Sequence, residues 1–374
     1  MKNSTSDQYT LYGWEVSPYT AKVRSYLQYK EIPFKTVVPN IITMKRFIEP
    51  KVGKVIMPVV TGPHSEVIQD SSFIIKVLDQ RYPDKPTIPS TPKQALVSML
   101  MEFCGDEWLP MAALHYRWNY PGNRRFILNE FGKSALPYFP GFVQRKFAST
   151  FAGKMKGYLP ILGITKATEE ALEINTHTIL KALNRHFEKH PYLLGNSPCV
   201  GDFSLFGPIY AHLHRDPYPK KLVANYPNTL GWLNRLKNNF GPTTKGFLED
   251  DEIPESLFPL IKLIIEQQLP LIKDSIQSIN IWVEQNPDKV KLPPRLGETE
   301  LKINGASASR YNLTYPYWMF QQISDFYQVL STNDKVQIDH LLEASQCSEL
   351  GLVQSLKTPL KHKVQLKRCR LYLE

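Results

Sequence analysis

Regular patterning begins at 9-YTLYG-13, where alternating positions predict a strand. From Pro18 to Lys30 the period changes. Val23, Tyr26, Leu27 and Lys30 fall at helical spacing, which predicts a helix with an inward apolar stripe. A second strand is predicted over 34-FKTVVPN-40 and a third β-rich run over 54-KVIMPVVT-61. Pro58, inside that run, has no N–H for a ladder and belongs at a strand start, an edge or a special turn. The turn 62-GPHS-65 leads to a short strand, 66-EVIQ-69. Asp70-Ser71 then caps a helix over 72-SFIIKVLDQRY-82, which Pro83 ends. The order is β-α-β followed by β-β-α.

The stretch 84-DKPTIPSTPK-93 holds three prolines and reads as a linker. From Gln94 to about Phe240 the pattern is helical throughout. One helix covers 94–118 with a bend at Pro110, a second covers 167–190, a third follows Asp202, and a fourth covers 228–240. The expected organisation is a flexible 1–8, a domain at 9–83, the linker at 84–93, a helical domain at 94–240 and an extension at 241–374. In the extension a helical segment is predicted over 255–285, a hairpin over 299–314 turning at Asn304-Gly305, and helices over 316–330 and 333–345.

Composition supports a folded core, with 42% hydrophobic and 21% charged residues among 374. The net charge of +10 is unevenly spread. Lys357, Lys361, Lys363, Lys367, Arg368 and Arg370 face only Glu374 within 357–374. Residues 141–166 hold Arg145, Lys146, Lys154, Lys156 and Lys166 with no acid. Neither run carries a nucleic-acid motif, so the reading is solvated faces, with weak binding of the 357–374 tail to an anionic surface as the alternative. Cys104, Cys199, Cys347 and Cys369 are too scattered for a Cys-x-x-Cys site and read as reduced thiols of a cytoplasmic protein. No signal peptide is visible, and the apolar run 257–272 is too interrupted by charge to span a bilayer. His186 and His190 have the spacing of two metal ligands on a helix, but no third ligand is evident and no metal is expected.

The tetrapeptide 17-SPYT-20 looks like a Cys-Pro-Tyr-Cys redox loop with both sulfurs replaced by hydroxyls. Dithiol exchange needs two thiols, so a glutaredoxin-type reductase is disfavoured. With the β-α-β-β-β-α order, a thioredoxin-like α/β fold, and the helical domain behind a proline-rich linker, the chain resembles the cytosolic glutathione transferase family. Four features carry the resemblance over about residues 9–240. They are Ser17 opening the first helix, Met57-Pro58 in place of the family's cis Val-Pro, Asp70-Ser71 in place of its acidic-serine pair, and 199-CVGDFSLFGPIYAHL-213 in place of its buried helix. Two departures stand beside them. Cys199 replaces the usual helix-start hydroxyl, and Gly53 precedes Pro58 by five residues where the family often has three.

The resemblance implies glutathione as cosubstrate, bound by Ser17, Lys54, Met57, Pro58, Asp70 and Ser71. It implies a small hydrophobic electrophile between the domains, with Trp14, Tyr19, Trp108, His115, Tyr116 and Trp118 as candidate lining, and a homodimer. Ser17 is the catalytic candidate. A hydroxyl donating to sulfur, together with a helix N-terminus, favours thiolate, and lowering a thiol by two pKa units needs roughly 2.7 kcal/mol. The competing readings are a helix cap at Ser17 and, for the whole chain, a non-catalytic binding or scaffold protein.

Overall fold

The structure, a computed structural model, describes residues 8–238, 240, 246–347 and 350–374. The expected flexible N-terminus therefore lies almost wholly outside the described residues.

The N-terminal sheet has the strand order β2-β1-β3-β4, with β1 Tyr9–Tyr12, β2 Phe34–Val37, β3 Val59–Thr61 and β4 Val67–Gln69. β2 runs parallel to β1, and β3 and β4 are antiparallel additions. Helix α1, Pro18–Tyr29, crosses between β1 and β2. The run read as β-rich from Lys54 is a strand only from Val59, directly after Pro58, because proline cannot join the ladder. The Met57–Pro58 bond is cis.

Between β2 and β3 lies a helix, α2, that the pattern did not suggest. It comprises Ile41–Thr43, a widened turn Met44–Ile48 and Glu49–Val52. Ile41, Ile42, Thr43 and Pro50 all weigh against helix, and Asn40 compensates by accepting from the Thr43 N–H at its start. Helix α3, Ser71–Arg81, closes the unit.

Helix α4 runs as Pro92–Phe103, a widened turn Cys104–Trp108 and Leu109–Asn119. In α2 and α4 alike, a proline (Pro50, Pro110) stands two residues past the widened turn. The missing N–H leaves a carbonyl unserved and the coil opens around it. The helical part continues through α5 Pro121–Ala135, α6 Gly141–Lys156, a single turn Tyr158–Ile161, and α7 Glu169–His186. It ends with α8, Val200–Pro208 continued as a widened coil Ile209–His214, then α9 Pro217–Val223 and α10 Pro227–Asn238.

The thiol of Cys199 is a poorer cap than a Ser or Thr hydroxyl, and Asp202 offsets this. Its carboxylate accepts from the N–H groups of Cys199 and Leu193 and from Trp232 Nε1. The proline-rich run at 84–93 is anchored too: Thr87 is buried and its carbonyl accepts from Val200 N.

The extension contains α11 Phe258–Gln285, the hairpin β5 Arg295–Ile303 and β6 Ala306–Leu313, α12 Tyr315–Val329, α13 Thr332–Ala344, α14 Leu350–Lys357, and a second hairpin of β7 Val364–Lys367 and β8 Arg370–Leu373. The first hairpin turns where Asn304 and Gly305 both take positive φ. Helices α11, α12 and α13 pack against α4, so the extension shares its core with the helical part.

Candidate active site

Sheet register assembles one end of the N-terminal unit. Tyr12 pairs with Val59, and Val59 with Gln69. The loop leaving β1, the cis peptide entering β3 and the residues leaving β4 therefore emerge side by side. Ser17, Met57, Asp70 and Ser71 all sit on these three segments.

Ser17 caps α1 from an extended backbone, its Oγ accepting from Thr20 N at 3.3 Å, while Pro18 takes the first helical position. Its hydroxyl proton has no acceptor among the described residues and is free for a ligand. Tyr19 Oη donates to the carbonyl of Asp106 at 3.0 Å. That carbonyl is the one Pro110, four residues on, cannot serve. Burial, then the carboxylates of Glu107, Asp106 and Asp70, push Tyr19 well above the usual phenol range, so it stays un-ionised and keeps the proton that it donates.

Beneath this end lies a buried ionic network. Lys22, fully buried, reaches Asp106 at 2.6 Å, Glu102 at 2.8 Å and Ser72 at 2.9 Å. Burial opposes its charge, but the two carboxylates outweigh burial and the net shift is upward. Glu107 is pushed well above the carboxylate range by burial and by Asp106 and Asp70. Arg310, from β6, is buried near it. Burial lowers its guanidinium to about 10, against the pull of Glu107.

Asp70, at φ 81°, caps α3 by accepting from Ser72 N and Phe73 N through Oδ1. Its Oδ2 accepts from Tyr315 Oη of the extension at 2.5 Å. Burial raises its carboxyl, partly countered by the Tyr315 hydrogen bond. The tip of the β7–β8 hairpin reaches α2 and the end of β4 beside Asp70. Cys369 N donates to Gln69 Oε1, Cys369 Sγ to the Val52 carbonyl, and Arg368 to the Pro50 carbonyl. A Cβ on Gly53 would stand 3.3 Å from the Arg368 carbonyl. The 357–374 segment is thus a docked hairpin and not a free basic tail. Lys357, Lys361 and Lys363 are paired with Asp339, Glu284 and Asp325. Lys54 is exposed beside this tip, close enough to Cys369 to influence its thiol.

The aromatic candidates divide. Tyr19 faces the junction between the N-terminal unit and α4, whereas Trp108 faces the extension. Trp108, Glu107, Gln268, Arg310 and Asn312 line a cavity of about 30 Å³, room for about two waters. The structure brings the other four to neither place. Trp14 donates to the Pro39 carbonyl and packs on Phe131 and Phe151. Trp118 packs on Phe131, and Tyr116 stacks with Tyr120 and Tyr218. His115 is held between Glu173 and Asn119. His186 has both ring nitrogens engaged, by Ser256 Oγ and the Tyr192 carbonyl. Among the described residues no group of acids, histidines and cysteines has the geometry of a metal site.

Sequence reasoning did not find Lys22, Glu107, Arg310 or Tyr315. The three acids, Glu102, Asp106 and Glu107, inside the otherwise largely apolar 99-MLMEFCGDEWLPMAAL-114 were a signal for the second of these. No local signal pointed to Tyr315.

Residues 11–86 match the family described as "Glutathione S-transferase, N-terminal domain". No curated protein matches the chain. Similar solved structures include a glutathione S-transferase from Rhodospirillum rubrum F11, at 16% identity over 66% of this chain and 96% of that one, TM-score 0.38. The β-etherase LigF from Sphingobium sp. strain SYK-6 is 17% identical over 63% of this chain and 97% of that one, TM-score 0.42. The glutathione transferase URE2P6 from Phanerochaete chrysosporium, in complex with oxidised glutathione, is 15% identical over 62% and 90%, TM-score 0.42. Residues 11–86 thus combine a match to that N-terminal domain family with a thioredoxin-like fold, and the rest of the described chain is mostly helical.

Proposed function

We propose that this protein binds glutathione at the end of the N-terminal sheet and ionises its thiol at Ser17 for attack on a hydrophobic electrophile. The observation that carries this reading is the Tyr12, Val59, Gln69 register, which gathers a helix-start hydroxyl, a cis-proline segment and an acid-serine helix start. In this reading Met57 pairs its backbone with the tripeptide like an added strand. Asp70 and Ser71 take the γ-glutamyl end, and Lys54 the glycine carboxylate. The free Ser17 hydroxyl proton and the α1 N-terminus stabilise the thiolate.

A second reading has a specific observation behind it. Tyr315 and the hairpin tip already hydrogen-bond Asp70 and Gln69, and the cavity at Trp108 is far below the ~300 Å³ of an ordinary ligand pocket. A scaffold or binding protein that keeps the domain without turnover fits this arrangement. If the first reading holds, the extension has to move for an electrophile to enter.

The test is an ultraviolet pH titration of glutathione with the full chain, following thiolate absorbance. Thiolate appearing well below the free value of ~8.5, and lost in Ser17→Ala, supports the enzyme. Glutathione binding without that shift supports the second reading. Absence of binding overturns the first reading and leaves the second only as a scaffold that does not hold glutathione.

A further inference from the structure

The antiparallel pair α5–α6 stands apart from everything used above. Its connection, 136-LPYFPG-141, and the first turn of α6 expose Tyr138 at 92%, Phe139 at 54% and Phe142 at 67%. Three aromatic rings this open at one tip are costly in water and are not explained by the core. From Phe142 the outer face of α6 continues at helical spacing through Arg145, Lys146 and Ser149 to Gly153 and Lys156, all exposed. Arg145 and Lys156 of that face, together with Arg124 and Arg125 of α5 and Lys166, surround an open groove of about 520 Å³. Its one carboxylate, Glu169, is taken by Lys166 at 2.8 Å. Among the described residues, Arg124, Arg125, Arg145 and Lys156 have no ion-pair partner. No acidic residue occurs between Glu130 and Glu169.

We infer that the α5–α6 pair docks this protein on an anionic phospholipid surface, with the aromatic tip entering the headgroup layer and the cationic groove holding lipid phosphates. Charge selects this occupant. A second copy of the chain would set unpaired cations against cations, whereas a bilayer bearing anionic lipid neutralises them. Shape agrees. The rings crown a convex turn between Pro137 and Pro140, where they meet a membrane interface better than a strand of bases laid along a groove. No helix among the described residues is long and apolar enough to cross a membrane, so the attachment is peripheral. The site is remote from Ser17 and does not rest on the glutathione reading.

The experiment is co-sedimentation of the full chain with vesicles of phosphatidylcholine alone and of phosphatidylcholine mixed with phosphatidylglycerol. Binding is expected only to the mixed vesicles and to fall steeply with added salt. Arg124→Gln with Arg145→Gln lowers the partition coefficient about 25-fold, at roughly fivefold per charge. Phe139→Ser with Phe142→Ser lowers it by about tenfold or more. All four positions are exposed, and circular dichroism confirms that the variants fold. Lys367→Gln with Arg370→Gln, on the docked hairpin, leaves binding unchanged. Equal binding to both vesicle types, loss of binding in the hairpin variant, or no vesicle binding overturns the proposal. So does binding to a single-stranded oligonucleotide or to inorganic phosphate without binding to vesicles. A concentration-dependent dimer abolished by the phenylalanine pair, without vesicle binding, assigns the face to self-association instead.

Discussion

Tyr315 donates its hydroxyl to Oδ2 of Asp70 at 2.5 Å, joining positions 245 residues apart. The other oxygen of Asp70 already serves two backbone N–H groups of α3. The carboxylate that glutathione would use is therefore shared with the extension. Tyr315→Phe removes a hydrogen bond to a charged group and is expected to lower unfolding free energy by about 1.5–3 kcal/mol. On the proposed reading it also frees Oδ2 for an ammonium and tightens glutathione binding by about tenfold. Urea unfolding and calorimetric titration measure the two effects separately. An unchanged dissociation constant would mean that Tyr315 and glutathione do not compete.

Lys22 holds Asp106, Glu102 and Ser72 together at the junction of the N-terminal domain with α4. Lys22→Met leaves two carboxylates without their cation in a buried setting. The expected loss is about 3–5 kcal/mol, since removing one partner of a buried pair exposes the full desolvation cost of the other. Adding Glu102→Gln and Asp106→Asn to Lys22→Met takes away that uncompensated charge and should recover part of the loss. Urea midpoints of the single and triple variants decide this. A triple variant no more stable than the single would show that packing, not charge, is what Lys22 supplies.

These two contacts show where sequence reasoning reached and where it stopped. Strands at Tyr9, Phe34 and Val67, the caps at Ser17 and Asp70 and the Asn304-Gly305 hairpin were legible because each is written in neighbouring residues. Helix α2 was hidden by its β-branched start and by Pro50, and it forms through a widened turn that no periodicity encodes. The β7–β8 hairpin turns at Arg368 and Cys369, both at positive φ without glycine or asparagine, so its turn carried no signal. Of the proposed site, Ser17, Met57, Asp70 and Ser71 were nameable from the sequence because each stands at a local turn or helix start. The contacts made to that end of the sheet by Tyr315 and Cys369 were not, because they arise only through long-range packing. The aromatic candidates misled for a related reason. Trp14, Tyr116 and Trp118 fill the core with the chemistry that would fill a pocket.

Asp202 stabilises the helical domain by accepting from Leu193 N, Cys199 N and Trp232 Nε1. Burial raises its carboxyl to about 6, while the hydrogen bond from Cys199 N holds it down. Asp202→Ala orphans all three donors in the core. At about 1–3 kcal/mol per buried group left unsatisfied, a total near 3–5 kcal/mol is expected once relaxation is allowed. Thermal unfolding measures it. Asp202→Asn keeps an acceptor oxygen and should lose less than half as much.

His186 supplies the clearest pH dependence. The ring is fully buried, with Ser256 Oγ at Nδ1 and the Tyr192 carbonyl accepting from Nε2. His190 stacks against it at 5.0 Å. Burial lowers its pKa to about 4, from 6.5. Between those values the unfolded chain takes up a proton that the folded chain refuses, so stability rises with pH across the window. The contribution is complete above about pH 6.5 and is lost as pH falls toward about 4, reaching roughly 3 kcal/mol. His186→Gln retains an acceptor and a donor but no titrating ring. Urea unfolding between these pH values should therefore show a flatter profile for the variant, with the difference growing as pH falls. Groups remote from the ring that titrate in this range, Asp202 among them, are common to both proteins and cancel in that difference, and His190→Gln in both backgrounds removes the titration of the stacked neighbour. Parallel profiles would mean that the folded chain admits the proton at His186 as readily as the unfolded chain does.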